Sequence, residues 1–200
     1  MTKLCFGGSF NPLHIGHLAT ARAVAEAGGF QKVVLIPSAR PPHKPETAEL
    51  AEPCHRLAMC QVVSRCDPFF EVEDIELSRE GPSFTIDTVQ TLKQRGWREI
   101  AWLIGADMVP LLPTWHRPTE LLRDVKFLIA QRPGHVIDWA SLPPAFRALQ
   151  TNVVRAPLLD ISASEIRQRV REGKSVRYFV PDEIDRYIKE HRLYRDLPRA

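Results

Sequence analysis

A chain of 200 residues is long enough to bury a full core and short enough for one domain, and 44% hydrophobic with 26% charged residues excludes global disorder. A formal net charge of +3 can help to draw in anionic substrates but is too small to mark a nucleic-acid binder. No run of ~18 apolar residues is present, so no membrane span is expected, and the apolar run before Gly7 is too short for a secretion signal, which makes the cytoplasm the expected address.

Residues 3–7 read as a short buried strand that runs into glycines. A helical pattern follows Gly16, with Leu18, Ala21, Val24 and Ala25 on one face and Gly28-Gly29 as its stop. Residues 32–36 form a second apolar strand, and the proline-rich stretch from Pro37 to Pro53 is a long loop of the kind that often carries function. The spacing then predicts a helix over 54–65, a strand over 69–72, and a helix opened by Ser83 and closed by Gly96. A strand over 100–104, a short helix over 119–123 and a strand over 126–130 come next. Residues 133–150, with Pro133, Pro143 and Pro144, read as an irregular insertion before a last strand at 153–154 and helices over 163–172 and 182–191. Apolar strands alternating with helices argue for a doubly wound, Rossmann-like parallel sheet covered on both faces. The expected organisation is one α/β domain over 1–200 with a small helical C-terminal extension from about residue 160. The four cysteines, Cys5, Cys54, Cys60 and Cys66, form no CxxC pair, so reduced and mostly buried thiols are expected, without zinc or redox chemistry.

The segment with the strongest chemical content is Gly7-Gly8-Ser9-Phe10-Asn11-Pro12-Leu13-His14-Ile15-Gly16-His17, placed where the first strand hands over to the first helix. In a doubly wound sheet that is the ligand edge. Glycines there let the backbone pass close to a phosphate, and the positive end of the helix favours an anion. The segment has neither the lysine of GxxxxGK[ST] nor the spacing of GxGxxG. In their place His14 and His17 stand at i and i+3, where both rings can reach one triphosphate. Near the C-terminus, Ser162 and Glu165 in Ile161-Ser162-Ala163-Ser164-Glu165-Ile166-Arg167 fit a capping box, and Arg167 lies one turn in, able to reach an anion at the helix start.

GGSFNPLHIGH resembles the (H/T)xGH signature of the nucleotidylyltransferase superfamily, and in its extended form the nicotinate mononucleotide adenylyltransferases. ISASEIR is similar to the superfamily's second motif, ISSTxIR, from which it departs at Ala163 and Ser164. Further matches are Pro42-His43-Lys44-Pro45, Gly81-Pro82-Ser83-Phe84-Thr85-Ile86-Asp87-Thr88 (with phenylalanine for the usual tyrosine), Gly105-Ala106-Asp107 and Trp115. The resemblance implies adenylyl transfer from ATP to nicotinate mononucleotide, with pyrophosphate released. It implies ATP contacts from Gly7, Gly8, Ser9, Phe10, Gly16, His17, Gly105, Asp107, Ile161, Ser164 and Arg167. Asn11, Lys44, Thr85, Trp115 and Arg132 are the implied acceptor contacts, with Trp115 stacked on the pyridine ring. The implied catalytic residues are His14, His17 and Arg167: the histidines steady the ATP phosphates and the charge developing at the α-phosphorus rather than act as nucleophiles, and Arg167 holds the β- and γ-phosphates. Mg²⁺ is expected on ATP phosphate oxygens and water, without a dedicated set of protein ligands. Competing readings are a related adenylyltransferase acting on nicotinamide mononucleotide or phosphopantetheine, and a nucleotide-binding sensor without turnover. Neither nucleic acid nor membrane is an expected partner.

Overall fold

In the computed structural model the described residues are 3–42, 49–131, 136–157 and 159–195. Six parallel strands form one sheet in the order β3-β2-β1-β4-β5-β6: β1 (Lys3–Gly8), β2 (Val33–Pro37), β3 (Phe70–Val72), β4 (Ile100–Gly105), β5 (Lys126–Gln131) and β6 (Val153–Arg155). The chain builds outward from β1 to β3, then returns to the other side of β1 and builds outward again. The two halves diverge between β1 and β4, and an open parallel sheet leaves a crevice beyond the carboxyl ends of strands at such a point.

Alternation along each strand sends side chains to two separate cores. From β2, Val33 and Leu35 join Leu4, Leu103 and Leu128 beneath α1 (Ile15–Ala27), α2 (Pro53–Cys66), α6 (Ala163–Arg171) and α7 (Asp182–Glu190). Val34 and Ile36 point the other way, with Cys5, Trp102, Ile104 and Phe127, under α3 (Thr85–Gln94) and α4 (Pro118–Asp124). Each such aliphatic side chain contributes about 1.5–3 kcal/mol on burial. The helical extension belongs to the first core: Ile166, Val176, Val180, Ile184 and Ile188 are buried in it.

Most elements fall within a residue or two of the positions their periodicity predicts. The nine-residue 3-10 helix at Ala106–Thr114, with Pro110 and Pro113 inside it, is not among the expected elements, and other features differ for identifiable reasons. Ser83 does not open α3; Phe84 is the residue before its first turn, and the Ser83 hydroxyl instead accepts the Arg40 N–H at 3.2 Å. The segment expected to be irregular contains a 3-10 turn at Trp139–Ser141, the short helix α5 (Pro144–Arg147) and a second 3-10 turn at Ala148–Asn152. Pro143 and Pro144 sit at the start of α5, where a missing N–H costs nothing, so these prolines mark a helix start rather than a loop. The cysteines, expected to be mostly buried, divide evenly, with Cys5 and Cys60 buried and Cys54 and Cys66 exposed on α2. Burial pushes the Cys5 thiol up to about 12, and the Cys60 thiol is raised by the same cause. Since the thiolate is the reactive form, a maleimide at pH 7.5 is expected to label Cys54 and Cys66 in the native protein and all four thiols only after denaturation. Native labelling of Cys60 would contradict this packing.

Candidate active site

A cleft of about 1000 Å³ opens at the β1/β4 edge of the sheet. Its size is at the upper end for small-molecule sites, as two nucleotides would require. Gly7, Gly8 and Ser9 line one part of it, together with Gly16 and His17 from the first turn of α1. A Cβ on Gly7 would lie 2.7 Å from the Trp102 ring, so only glycine lets β1 pass this neighbour on β4. Gly105 and Asp107 form another wall, where a Cβ on Gly105 would collide with the Asp107 carboxylate. The remaining wall carries Ser38, Glu76, Ser83, Phe84, Thr85, Trp115 and His116. Phe84, standing where the related pattern has tyrosine, stacks on His116 with centroids 4.4 Å apart, and Trp115 meets Phe127 edge-on at 6.4 Å.

The two histidines are brought together but are not equivalent. His14 is the N-cap of α1: its Nδ1 accepts the His17 N–H at 3.4 Å, and the His17 Nδ1 accepts the His14 N–H at the same distance. The rings stack with centroids 3.6 Å apart. This is a capping box made of imidazoles, and it satisfies two amide donors at the helix start. An Nδ1 that accepts leaves the proton of a neutral ring on Nε2, the form able to donate to a phosphate oxygen. His17 lines the cleft, whereas His14 is 3% exposed and lies behind it. Of the two rings expected to face one triphosphate, His17 lines the cleft and His14 stacks on it as the helix cap.

Two other expected ligand contacts are also turned inward. Asn11 is 1% exposed; its Oδ1 accepts the Ala51 N–H at 3.0 Å and its Nδ2 donates to the Glu49 carbonyl at 2.7 Å. Its amide thus closes the far end of the long loop instead of meeting the acceptor. Phe10, also 1% exposed, holds a φ of +43° and packs its ring edge-on to Phe6 and His17. Its ring lies against Gly8, where a Cβ would approach to 2.9 Å.

The second motif arrives beside the first as its chemistry requires. Ser162 caps α6 by accepting the Glu165 N–H at 3.1 Å. The Ile161 carbonyl lies against Gly16, 3.6 Å from where a Cβ would sit. The Arg167 fork, expected to reach for an anion directly, donates to the Asn11 carbonyl at 2.9 Å and to the Ser164 hydroxyl at 3.2 Å. Ile161, Ser164 and Arg167 flank the cleft rather than line it. Lys44 and Arg132 lie outside the described residues.

Arg56 was not among the residues singled out from the sequence. It is 1% exposed, and its guanidinium donates to four carbonyls: Ala51 at 2.9 Å, Ser9 at 2.9 Å, Ser38 at 2.5 Å and Ala39 at 3.2 Å. One buried cation thus ties the glycine-rich loop to both ends of the loop after β2. Desolvation lowers its pKa from the ordinary arginine value. The sequence did hold a signal for it, since Arg56 falls on the same face of α2 as the buried Met59, Cys60 and Val63. A charge on a buried stripe calls for a set of fixed partners.

Residues 5–169 match the cytidylyltransferase-like family. The chain is 41% identical over 199 residues to a probable nicotinate-nucleotide adenylyltransferase of Salinibacter ruber, covering 98% of each protein. It is 40% identical over 191 residues to one of Roseiflexus sp. (strain RS-1), covering 94% of this chain and 96% of that one. Among solved structures, the nicotinic acid mononucleotide adenylyltransferase of Plasmodium falciparum complexed with NaAD shares the fold, with a TM-score of 0.76 at 18% identity over 96% of this chain and 97% of the other.

Replacing Arg56 by methionine keeps the bulk but strands four carbonyls. A loss of about 3 kcal/mol or more is expected, seen as a fall in Tm of roughly 6–12 °C. A variant melting within about 2 °C of the parent would mean that the clamp holds nothing.

Proposed function

The chain belongs to the cytidylyltransferase-like family, among its nicotinate-nucleotide adenylyltransferases, and on that premise we propose how its residues divide the work of adenylyl transfer. The enzyme is a nucleotidyltransferase of NAD biosynthesis that joins nicotinate mononucleotide to the AMP part of ATP. A phosphate oxygen of the acceptor attacks the α-phosphorus, a new P–O bond forms as the bond to the bridging oxygen breaks, and pyrophosphate leaves. Both reactants are anions, so positioning and charge neutralisation are the main tasks, and positioning alone can supply about 7–11 kcal/mol.

The observation that carries this division is the meeting of the two helix starts. The α1 end with His17 and the α6 end with Ser164 and Arg167 are joined through the Asn11 carbonyl at one side of the cleft. ATP is assigned to this side, its triphosphate against Gly8, Ser9 and Gly16, with His17 Nε2 donating to the phosphate where charge develops. Gly105 and Asp107 are assigned to the nucleoside. The aromatic wall of Phe84, Trp115 and His116 is assigned to the pyridine ring, with the backbone at Thr85 meeting its substituent; Lys44 and Arg132 are carried from the resemblance alone.

Among the described residues no group of three His, Cys, Asp or Glu is placed to hold an ion. The proposed Mg²⁺ would be carried mainly by phosphate oxygens and water, as suits an ion that dehydrates reluctantly, and would supply charge neutralisation. Among the described residues no helix is long and apolar enough to cross a membrane. A cytosolic setting is proposed, which suits thiols left free and exposed at Cys54 and Cys66.

Two measurements check the assignment. With ATP and Mg²⁺, pyrophosphate release is expected to be strong with nicotinate mononucleotide and weak with nicotinamide mononucleotide. Equal use of both would keep the chemistry and remove the acid preference, and turnover with neither would remove the reading. His17→Ala is expected to lower kcat about 10²–10³-fold, while losing one cap partner lowers Tm by no more than about 4 °C. A fully active alanine variant would show that His17 has no part in transfer.

A further inference from the structure

Glu76 is a buried carboxyl that the mechanism above does not use. It is 3% exposed, sits in the acceptor wall of the cleft, and lies outside every motif that carries the family resemblance. Its Oε1 accepts the Thr88 hydroxyl at 2.8 Å, and Thr88 is fully buried on the first turns of α3. Its Oε2 is shut off from solvent without a hydrogen-bond partner. Burial pushes this carboxyl above the usual carboxylate range, against the opposing pull of the Thr88 and Ser83 hydroxyls, the Arg79 charge and the Ser38 hydroxyl. Leaving a buried carboxyl oxygen unmatched is costly.

The surrounding bonds show what the group holds. Arg79, three residues on, donates to the Phe84 carbonyl at 3.4 Å and to Thr88 Oγ1 at 3.3 Å. On the other side, Ser83 N–H donates to the Arg40 carbonyl at 2.9 Å and Arg40 N–H donates to Ser83 Oγ at 3.2 Å. The turn Ser83-Phe84-Thr85 is thereby pinned from the loop after β2, from Arg79, and from Glu76 through Thr88. That turn places the Phe84 ring on His116 and brings Thr85 to the cleft. None of these bonds is made to α1 or α6, and the link to the glycine-rich loop is indirect, through Ser38, whose N–H donates to the Gly8 carbonyl at 2.9 Å.

We infer that Glu76 is a positioning residue for acceptor recognition, holding the Ser83–Thr85 turn through Thr88 at the distance that separates a pyridine carboxylate from a carboxamide. The inference rests on the adenylyl-transfer reading and deepens it. An acceptor site read largely through backbone depends on where that backbone is fixed, and a shift of about 1 Å can cost roughly 10²-fold in rate.

Steady-state kinetics of Glu76→Ala, Glu76→Gln and Thr88→Val test it, with ATP and each mononucleotide varied in turn. Glu76→Ala and Thr88→Val are expected to raise KM for nicotinate mononucleotide about 10-fold or more and to narrow the preference over the amide, leaving KM for ATP within about 2-fold. Glu76→Gln, which keeps an oxygen for the Thr88 hydroxyl, is expected to retain most of the wild-type KM. Thr88→Val preserves shape, so it decides the matter if Glu76→Ala fails to fold. Equal changes in both KM values, or a lower Tm with unchanged KM values, would make Glu76 a purely structural residue. A wild-type enzyme that makes no product from nicotinate mononucleotide would remove the functional reading and this inference together, whereas unselective variants of an active enzyme would remove the inference alone.

Discussion

When a loop turns its N–H groups toward an anion, its carbonyl oxygens face the other way, and each of those oxygens then needs a donor from behind. Residues 8–11 meet that demand from three distant parts of the chain. The Gly8 carbonyl takes the Ser38 N–H at 2.9 Å, the Ser9 carbonyl takes Arg56, and the Asn11 carbonyl takes Arg167. The loop after β2, the helix α2 and the helix α6 are thus all fastened to the back of the same short stretch. Much of the fold outside the sheet serves to bring those donors there. The two arginines also place positive charge behind a surface meant for polyanions, which is the sign that the substrates require.

The front of the loop obeys a second constraint. A helix start leaves amides unsatisfied, and a protein can cap them or leave them for a ligand. At α1 the reciprocal imidazole cap settles two of them and fixes the tautomer of the ring that lines the cleft. His14 is thus part of the arrangement that holds the His17 ring. On the proposed assignment, structural capping and catalytic placement are one arrangement.

Patterns within short windows carried the fold. Buried strands declared themselves by continuous apolar runs, and Gly28, Gly96 and Ser162 ended or opened helices near the expected places. The site was legible where its residues are sequential: Gly7 to Ser9, Gly16, His17, Gly105, Asp107, Thr85 and Trp115 all line the cleft. What escaped depends on partners far along the chain. The role of Asn11 is set by a carbonyl and an amide 38 and 40 residues away, and Arg56 reaches back 47 residues to Ser9, which no local periodicity encodes. Glu76 sits in an acidic stretch that looks like a solvated surface until the fold buries it. At two of the departures from the family pattern the interacting feature is kept: Ser164 retains a hydroxyl, which Arg167 bonds, and Phe84 retains a flat ring, which stacks on His116.

Where the triphosphate lies decides whether this division of labour is correct. The most direct measurement is a crystal structure with nicotinate mononucleotide and an ATP analogue whose α,β bridge is methylene. The phosphates are expected against the backbone of Gly8 and Ser9, between His17 and the start of α6, with the pyridine ring on Trp115 and its carboxylate at the Thr85 backbone. Phosphates bound away from the α1 and α6 helix starts, or a pyridine ring outside the Phe84–Trp115 wall, would contradict it.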